Sequence, residues 1–276
     1  MSAHDQLLVV IDPVARRIDG ESVRIVKDVL CAGSAAKICL PDGPEEFCRA
    51  LARRGARRPV VVGDDRALLR AVAALHRGRE LADEALSLVP VGAGASVELA
   101  RALGVPTGPV AAARSVLDGV AQSLDLLVDD SDGVVLGDLR IPASPGSAPS
   151  SAAHPASVWD TCRSLVRTLV RPASPAAPPA AQTHRLRVEA DGVLLSDLNE
   201  PVENVRVRTA EGAAEVIVKR RSGAEPLRTL AKVVTVSGPS FRYRADALIT
   251  GPVRHRTWTL RPNAWALTLP AAAPPE

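Results

Sequence analysis

The chain predicts an α/β unit with a parallel sheet, followed by an antiparallel β-sandwich, and three observations carry this. Apolar runs at residues 7–11, 36–40, 60–62 and 86–89 show no in-out alternation and are separated by stretches of helical spacing. Strands of that kind, buried on both faces, belong to parallel sheets covered by helices. From residue 185 the period changes to two, as in half-buried antiparallel strands. Between the two regimes lies a Pro/Ala/Ser-rich segment, which divides the chain into 1–141, 142–182 and 183–276.

Taken in order, the first strand, 7–11, ends at Asp12-Pro13. Residues 21–30 follow as a helix with Val23, Val26 and Leu30 on one face. A strand at 36–40 leads to a helix over 44–54 that buries Phe47, Cys48 and Leu51. Two strand–glycine–helix units come next: 60–62 enters Gly63 and a helix from about Ala67, and 86–89 enters Pro90-Val91-Gly92-Ala93-Gly94 and a helix through Leu103. Residues 111–124 read as a further helix. Apolar segments 125–128 and 134–141 then flank a turn, Asp129-Asp130-Ser131-Asp132-Gly133. The segment 142–182 is too poor in apolar residues to order itself, apart from a short helix at 158–170. Beyond it, Leu186/Val188, Val205/Val207, Val216/Val218, Phe241/Tyr243 and Trp258/Leu260 alternate with polar residues, and the arginines at 185, 187, 206, 208, 242, 244, 254 and 256 fall on the solvent side.

Composition narrows the function classes. A net charge of +3 is too small to argue for nucleic acid, and six scattered aromatic residues make no base-stacking pattern. Cys31, Cys39, Cys48 and Cys162 form no CxxC pair and have no neighbouring histidine, so free thiols in a reducing cytoplasm are expected rather than zinc. No apolar run reaches membrane-spanning length. The acidic turn 129–133 lacks the twelfth-position glutamate of a calcium loop and reads as a hairpin turn. The Ala, Arg, Val and Pro usage looks like GC-rich bacterial coding. A homodimer is compatible with the sequence, which carries no specific signal for one.

Glycines at a strand-to-helix handover let phosphate approach backbone N–H groups at the positive end of a helix dipole. Two such corners, and an α/β unit before a sandwich, resemble the diacylglycerol kinase family, kin to sphingosine and NAD kinases. Four stretches carry the resemblance. VVIDPVAR has Asp12 where the family has Asn; Gly63-Asp64-Asp65-Arg66-Ala67 stands for GGDGT. Pro90-Val91-Gly92-Ala93-Gly94 stands for PxGTxN and precedes Ala100-Arg101-Ala102-Leu103-Gly104. Asp246-Ala247-Leu248 stands for the DGE of the sandwich.

The resemblance implies ATP bound at Asp12, Gly63, Asp64, Asp65, Arg66, Gly92 and Gly94, with Mg²⁺ bridging its phosphates and no protein metal ligand assigned. It also implies catalytic roles for Asp65 and Asp246, the latter taking the proton from a lipid hydroxyl, and work at the inner membrane surface. The departures have weight. Arg66 replaces a glycine, though its charge could hold an anion directly; Ala67 and Ala93 remove hydroxyls; Leu248 removes a carboxylate. A non-catalytic relative that binds a nucleotide, lipid or protein partner is the alternative. Each residue also has a plainer use: Asp64 and Asp65 as helix caps, Asp246 as a hairpin-turn aspartate, Gly92 and Gly94 for the turn alone, and Asp12 as a turn before Pro13.

Overall fold

A computed structural model of the protein describes residues 6–143, 183–220 and 225–271. The expected helix at 158–170, Cys162 and nearly all of the Pro/Ala-rich segment lie outside these residues.

The first lobe is built on a parallel sheet of β1 (Gln6–Ile11), β2 (Ala35–Cys39), β3 (Arg58–Gly63) and β4 (Ser87–Pro90), in the order β2-β1-β3-β4. Its central strands feed both faces. Leu7, Val9 and Ile11 pack with Val23, Val26 and Leu30 of α2 (Gly20–Gly33) and with Ala112, Ala113 and Val116 of α6 (Pro109–Asp118). Leu8 and Val10 pack on the other face with Phe47 and Leu51 of α3 (Pro44–Ala52) and with Leu68, Val72 and Leu75 of α4 (Asp65–Arg77). Two-sided burial is why these strands lack alternation.

Asp12 and Pro13 do more than turn the chain. They start a helix missed in the sequence, α1 (Pro13–Ile18), with Pro13 in its first turn and Asp12 as N-cap. The expected helix 111–124 divides: α6 ends at Asp118, and Val120 begins β5 (Val120–Asp129). Gly119 makes that junction because a Cβ there would lie 2.3 Å from the Ser115 carbonyl oxygen and 2.5 Å from that of Leu269. A backbone this crowded requires glycine.

The second lobe is a ten-stranded antiparallel sheet. It contains β5, β6 (Val134–Val135) and β7 (Asp138–Ile141) together with β8 (Arg187–Ala190), β9 (Val193–Ser196), β10 (Val202–Ala210), β11 (Ala213–Arg220), β12 (Leu227–Ala231), β13 (Val233–Ala245) and β14 (Leu248–Leu269). The main path runs β12-β11-β10-β7-β13-β14-β5-β6, with β8 and β9 attached through β13. Strands far apart on that path, such as β10 and β5 or β12 and β8, also touch, so the sheet folds over its own core as a sandwich. Trp258, Tyr243, Val205, Val216 and Val234 fill it. Residues 120–141 thus pair in the second sheet although the sequence groups them with the first unit. β6 pairs with β5, while β5 and β7 find their other partners beyond residue 200, in β14, β10 and β13.

The lobes are joined by more than the covalent chain. Leu86, just before β4, donates its N–H to Ala266 and accepts from Thr268, and the Ser87 and Thr268 hydroxyls bond at 2.9 Å. Trp265, Leu267 and Leu269 of β14 enter the same apolar cluster as α3 and α4. One core therefore runs from the first lobe into the second.

Candidate functional site

The two glycine corners meet. Gly63 accepts from the Val91 N–H, and a Cβ on Gly92 would lie 3.5 Å from that of Asp64. Gly63 is fixed by packing: a Cβ there would come within 2.7 Å of the Ala67 Cβ and 3.0 Å of the Asp12 Cβ. At Gly92 a Cβ would displace the Ser96 hydroxyl, which folds back onto the Ala93 carbonyl. Gly94 is open and exposed, at the start of a 3-10 turn (Gly94–Ser96).

The carboxylates at this corner are engaged with backbone. Asp64 is the N-cap of α4, accepting from the Ala67 N–H at 3.0 Å. Asp65 is 3 % exposed and reaches across to α5 (Glu98–Ala102), taking the N–H groups of Leu99 at 2.8 Å and Ala100 at 3.0 Å on its two oxygens. It caps a helix, but the neighbouring one rather than its own. Burial raises the Asp65 carboxyl above its ordinary range, and the two N–H groups only partly oppose this. Asp12 is buried, accepts from the Val14 N–H and pairs with Arg70, whose guanidinium lies 5.3 Å from the centre of the Phe47 ring. Arg66 is exposed on the first turn of α4.

Asp246 stands at the two-residue turn between β13 and β14, at φ 49°, where Ala245 pairs with Leu248. Its carboxylate is clasped by three consecutive N–H groups, those of Leu136 (2.7 Å), Gly137 (2.9 Å) and Asp138 (2.9 Å). Burial pushes this carboxyl upward as well, against the pull of the backbone N–H groups of Asp138, Leu136 and Gly137. Leu248 is 44 % exposed and brings no acid to the group.

These points come close together, with an aliphatic side chain between them. Leu99 donates its N–H to Asp65. Its Cδ1 lies 3.1 Å from where a Gly137 Cβ would be, and Asp246 Oδ1 lies 3.3 Å from that same point. Leu99 thus spans from one carboxylate to the other and packs into the shared core. A cavity of about 530 Å³ does open between the lobes, but Leu103, Leu124, Asp125, Leu136, Thr209 and Asn263 are among its lining residues and none of the expected site residues is.

The donor set does not fit the ion that the resemblance implies. Mg²⁺ takes one or two free carboxylates with waters and phosphate oxygens, whereas both oxygens of Asp65 and of Asp246 accept N–H groups and Asp64 caps its own helix through Oδ1. Among the described residues no three His, Cys, Asp or Glu gather into a metal cluster, the acidic turn 129–133 included.

In that turn Asp129 organises its own loop, accepting from the Ser131 N–H and hydroxyl and the Gly133 N–H, while the Tyr243 hydroxyl donates to it at 3.2 Å. Burial acts to raise its carboxyl. The Ser131 hydroxyl, the N–H groups and Arg256 outweigh this and hold it below the usual range. A carboxylate with a lowered folded-state pKa stabilises above its unfolded value, about 3.9, and loses that contribution as pH falls through the folded value. Urea midpoints of wild type and Asp129→Asn are therefore expected to differ at pH 6 and to converge toward pH 2.

No protein-family model and no curated protein matches the chain. Solved structures do. The fold, a parallel α/β lobe joined to a large antiparallel lobe, matches that of solved structures named as diacylglycerol kinases. A crystal structure of a diacylglycerol kinase from Bacillus anthracis str. Sterne superimposes at TM-score 0.73 over 99 % of each chain, with 14 % identity. Another structure from that organism, provisionally assigned the same activity, matches at 0.73 over 98 % of each chain, with 13 % identity. At such identities the likeness is one of fold.

Proposed function

We propose that this chain keeps the diacylglycerol kinase scaffold as a binding protein and does not transfer phosphoryl groups. The observation that carries this reading is the fate of Asp65 and Asp246. Phosphoryl transfer needs free charge around the migrating group and an acceptor for the hydroxyl proton. Both carboxylates that the resemblance assigns to those tasks are held by five backbone N–H groups in all. A base whose lone pairs already accept N–H bonds, and whose approach is covered by Leu99, is badly placed to take a proton from a lipid. The corner is also acidic, with Asp64, Asp65 and Glu98 close together.

Labelled ATP with Mg²⁺ and diacylglycerol micelles is the direct test. Transfer no faster than the no-protein control is expected. Transfer that Asp65→Asn abolishes would overturn the reading in favour of an active lipid kinase. One observation favours residual nucleotide binding, the exposed Arg66 at the start of α4. A rise in melting temperature with ATP that Arg66→Ala removes would establish it.

A further inference from the structure

The strand registers align arginines that are far apart in sequence. Arg228 lies opposite Ile217, Ile217 opposite Arg206, Arg206 opposite Arg140, Arg140 opposite Arg244, and Arg244 opposite Ile249. Across β12, β11, β10, β7, β13 and β14 the outer face therefore reads Arg-Ile-Arg-Arg-Arg-Ile. Five steps of about 4.8 Å make this row about 24 Å long. Arg208 and Lys219 stand in the flanking rows, and Arg242 follows two residues before Arg244 on the same exposed side of β13. Counter-charge is short: Asp138 is shared by Arg140 and Arg206, Glu215 by Arg208 and Arg228, and Glu203 pairs with Lys219. The guanidinium-bearing side chains of Arg140, Arg206 and Arg228 remain 40 %, 32 % and 61 % exposed.

We propose that this face docks on an anionic lipid surface. A net charge of +3 over the whole chain hides a concentration of positive charge on one sheet face. Like charges directly opposite one another on neighbouring strands cost stability, so a row of them points to an external partner that supplies the opposite sign. Two features favour a lipid leaflet over a nucleic acid. The row carries Ile217 and Ile249, with Leu230 64 % exposed on the flanking row, and aliphatic side chains suit an interface next to acyl chains. The aromatic rings that would stack on bases, Phe241, Tyr243, Trp258 and Trp265, are all buried. This surface is separate from the glycine corners, so the inference stands whether or not those bind nucleotide.

Co-sedimentation of the full chain with phosphatidylcholine vesicles, with and without phosphatidylglycerol, tests it. Binding is expected only with phosphatidylglycerol, and to fall at high salt. The double variant Arg228→Gln/Arg242→Gln, at exposed positions, is expected to bind about tenfold more weakly or worse while melting like wild type. Arg17→Gln/Arg101→Gln on the first lobe should change neither. Absence of binding to anionic vesicles at low salt would overturn the proposal. So would binding indifferent to the sheet variant, or tighter binding to a single-stranded oligonucleotide than to the vesicles.

Discussion

Asp246→Ala is expected to lower stability by about 3 kcal/mol, because three part-buried N–H groups lose a charged acceptor at once. The carboxylate bonds Leu136, Gly137 and Asp138, all more than a hundred residues earlier in the chain, and pins the β13–β14 turn to the loop leading into β7. Gly137 leaves no room for repair by a larger neighbour, since its missing Cβ would already crowd Leu99 and Asp246. Asp246→Asn should cost less, as its amide oxygen still accepts. Urea denaturation separates this role from catalysis. A general base with no structural duty would leave the midpoint unchanged, whereas a clasp of this kind moves it strongly.

Asp65→Ala has the second-largest expected effect, about 2 kcal/mol, through the loss of a cap supplied from outside the helix it serves. α5 has five residues and no side-chain cap of its own, so the two bonds from Asp65 hold its first turn. Loss of that carboxylate should speed hydrogen exchange at the Leu99 and Ala100 amides before other amides of the first lobe change. Exchange that stays slow there, with a midpoint close to wild type, would show that α5 is held by packing alone.

How much of this could be read from the sequence depended on distance along the chain. The parallel strands, the helices over Val23–Leu30 and Phe47–Leu51, and the alternating strands of the second lobe followed local periodicity, and the structure has them. The junction at Gly119 could not be found that way, because residues 111–124 keep a helix-like apolar spacing. Only the approach of Leu269 from the far end of the chain converts Val120 onward into strand. The same limit applied to the site. Asp64, Asp65 and Asp246 stood out by type and by likeness to family motifs, yet their hydrogen-bond partners do not. Arg70, the partner of Asp12, sits on a helix face with nothing in its neighbours to mark it. The arginine row was visible in sequence only as scattered residues, because register across six strands is a property of the sheet.

The seam between Leu86 and the end of β14 has a consequence for biosynthesis. Among the described residues, the backbone at Leu86, where the chain enters β4, is bonded across the seam by Ala266 and Thr268. During synthesis from the amino end, the first lobe must wait with that backbone and part of its apolar interior uncovered until residues 265–269 have left the ribosome. Nascent chains of this protein should therefore depend on shielding by chaperones until β14 arrives.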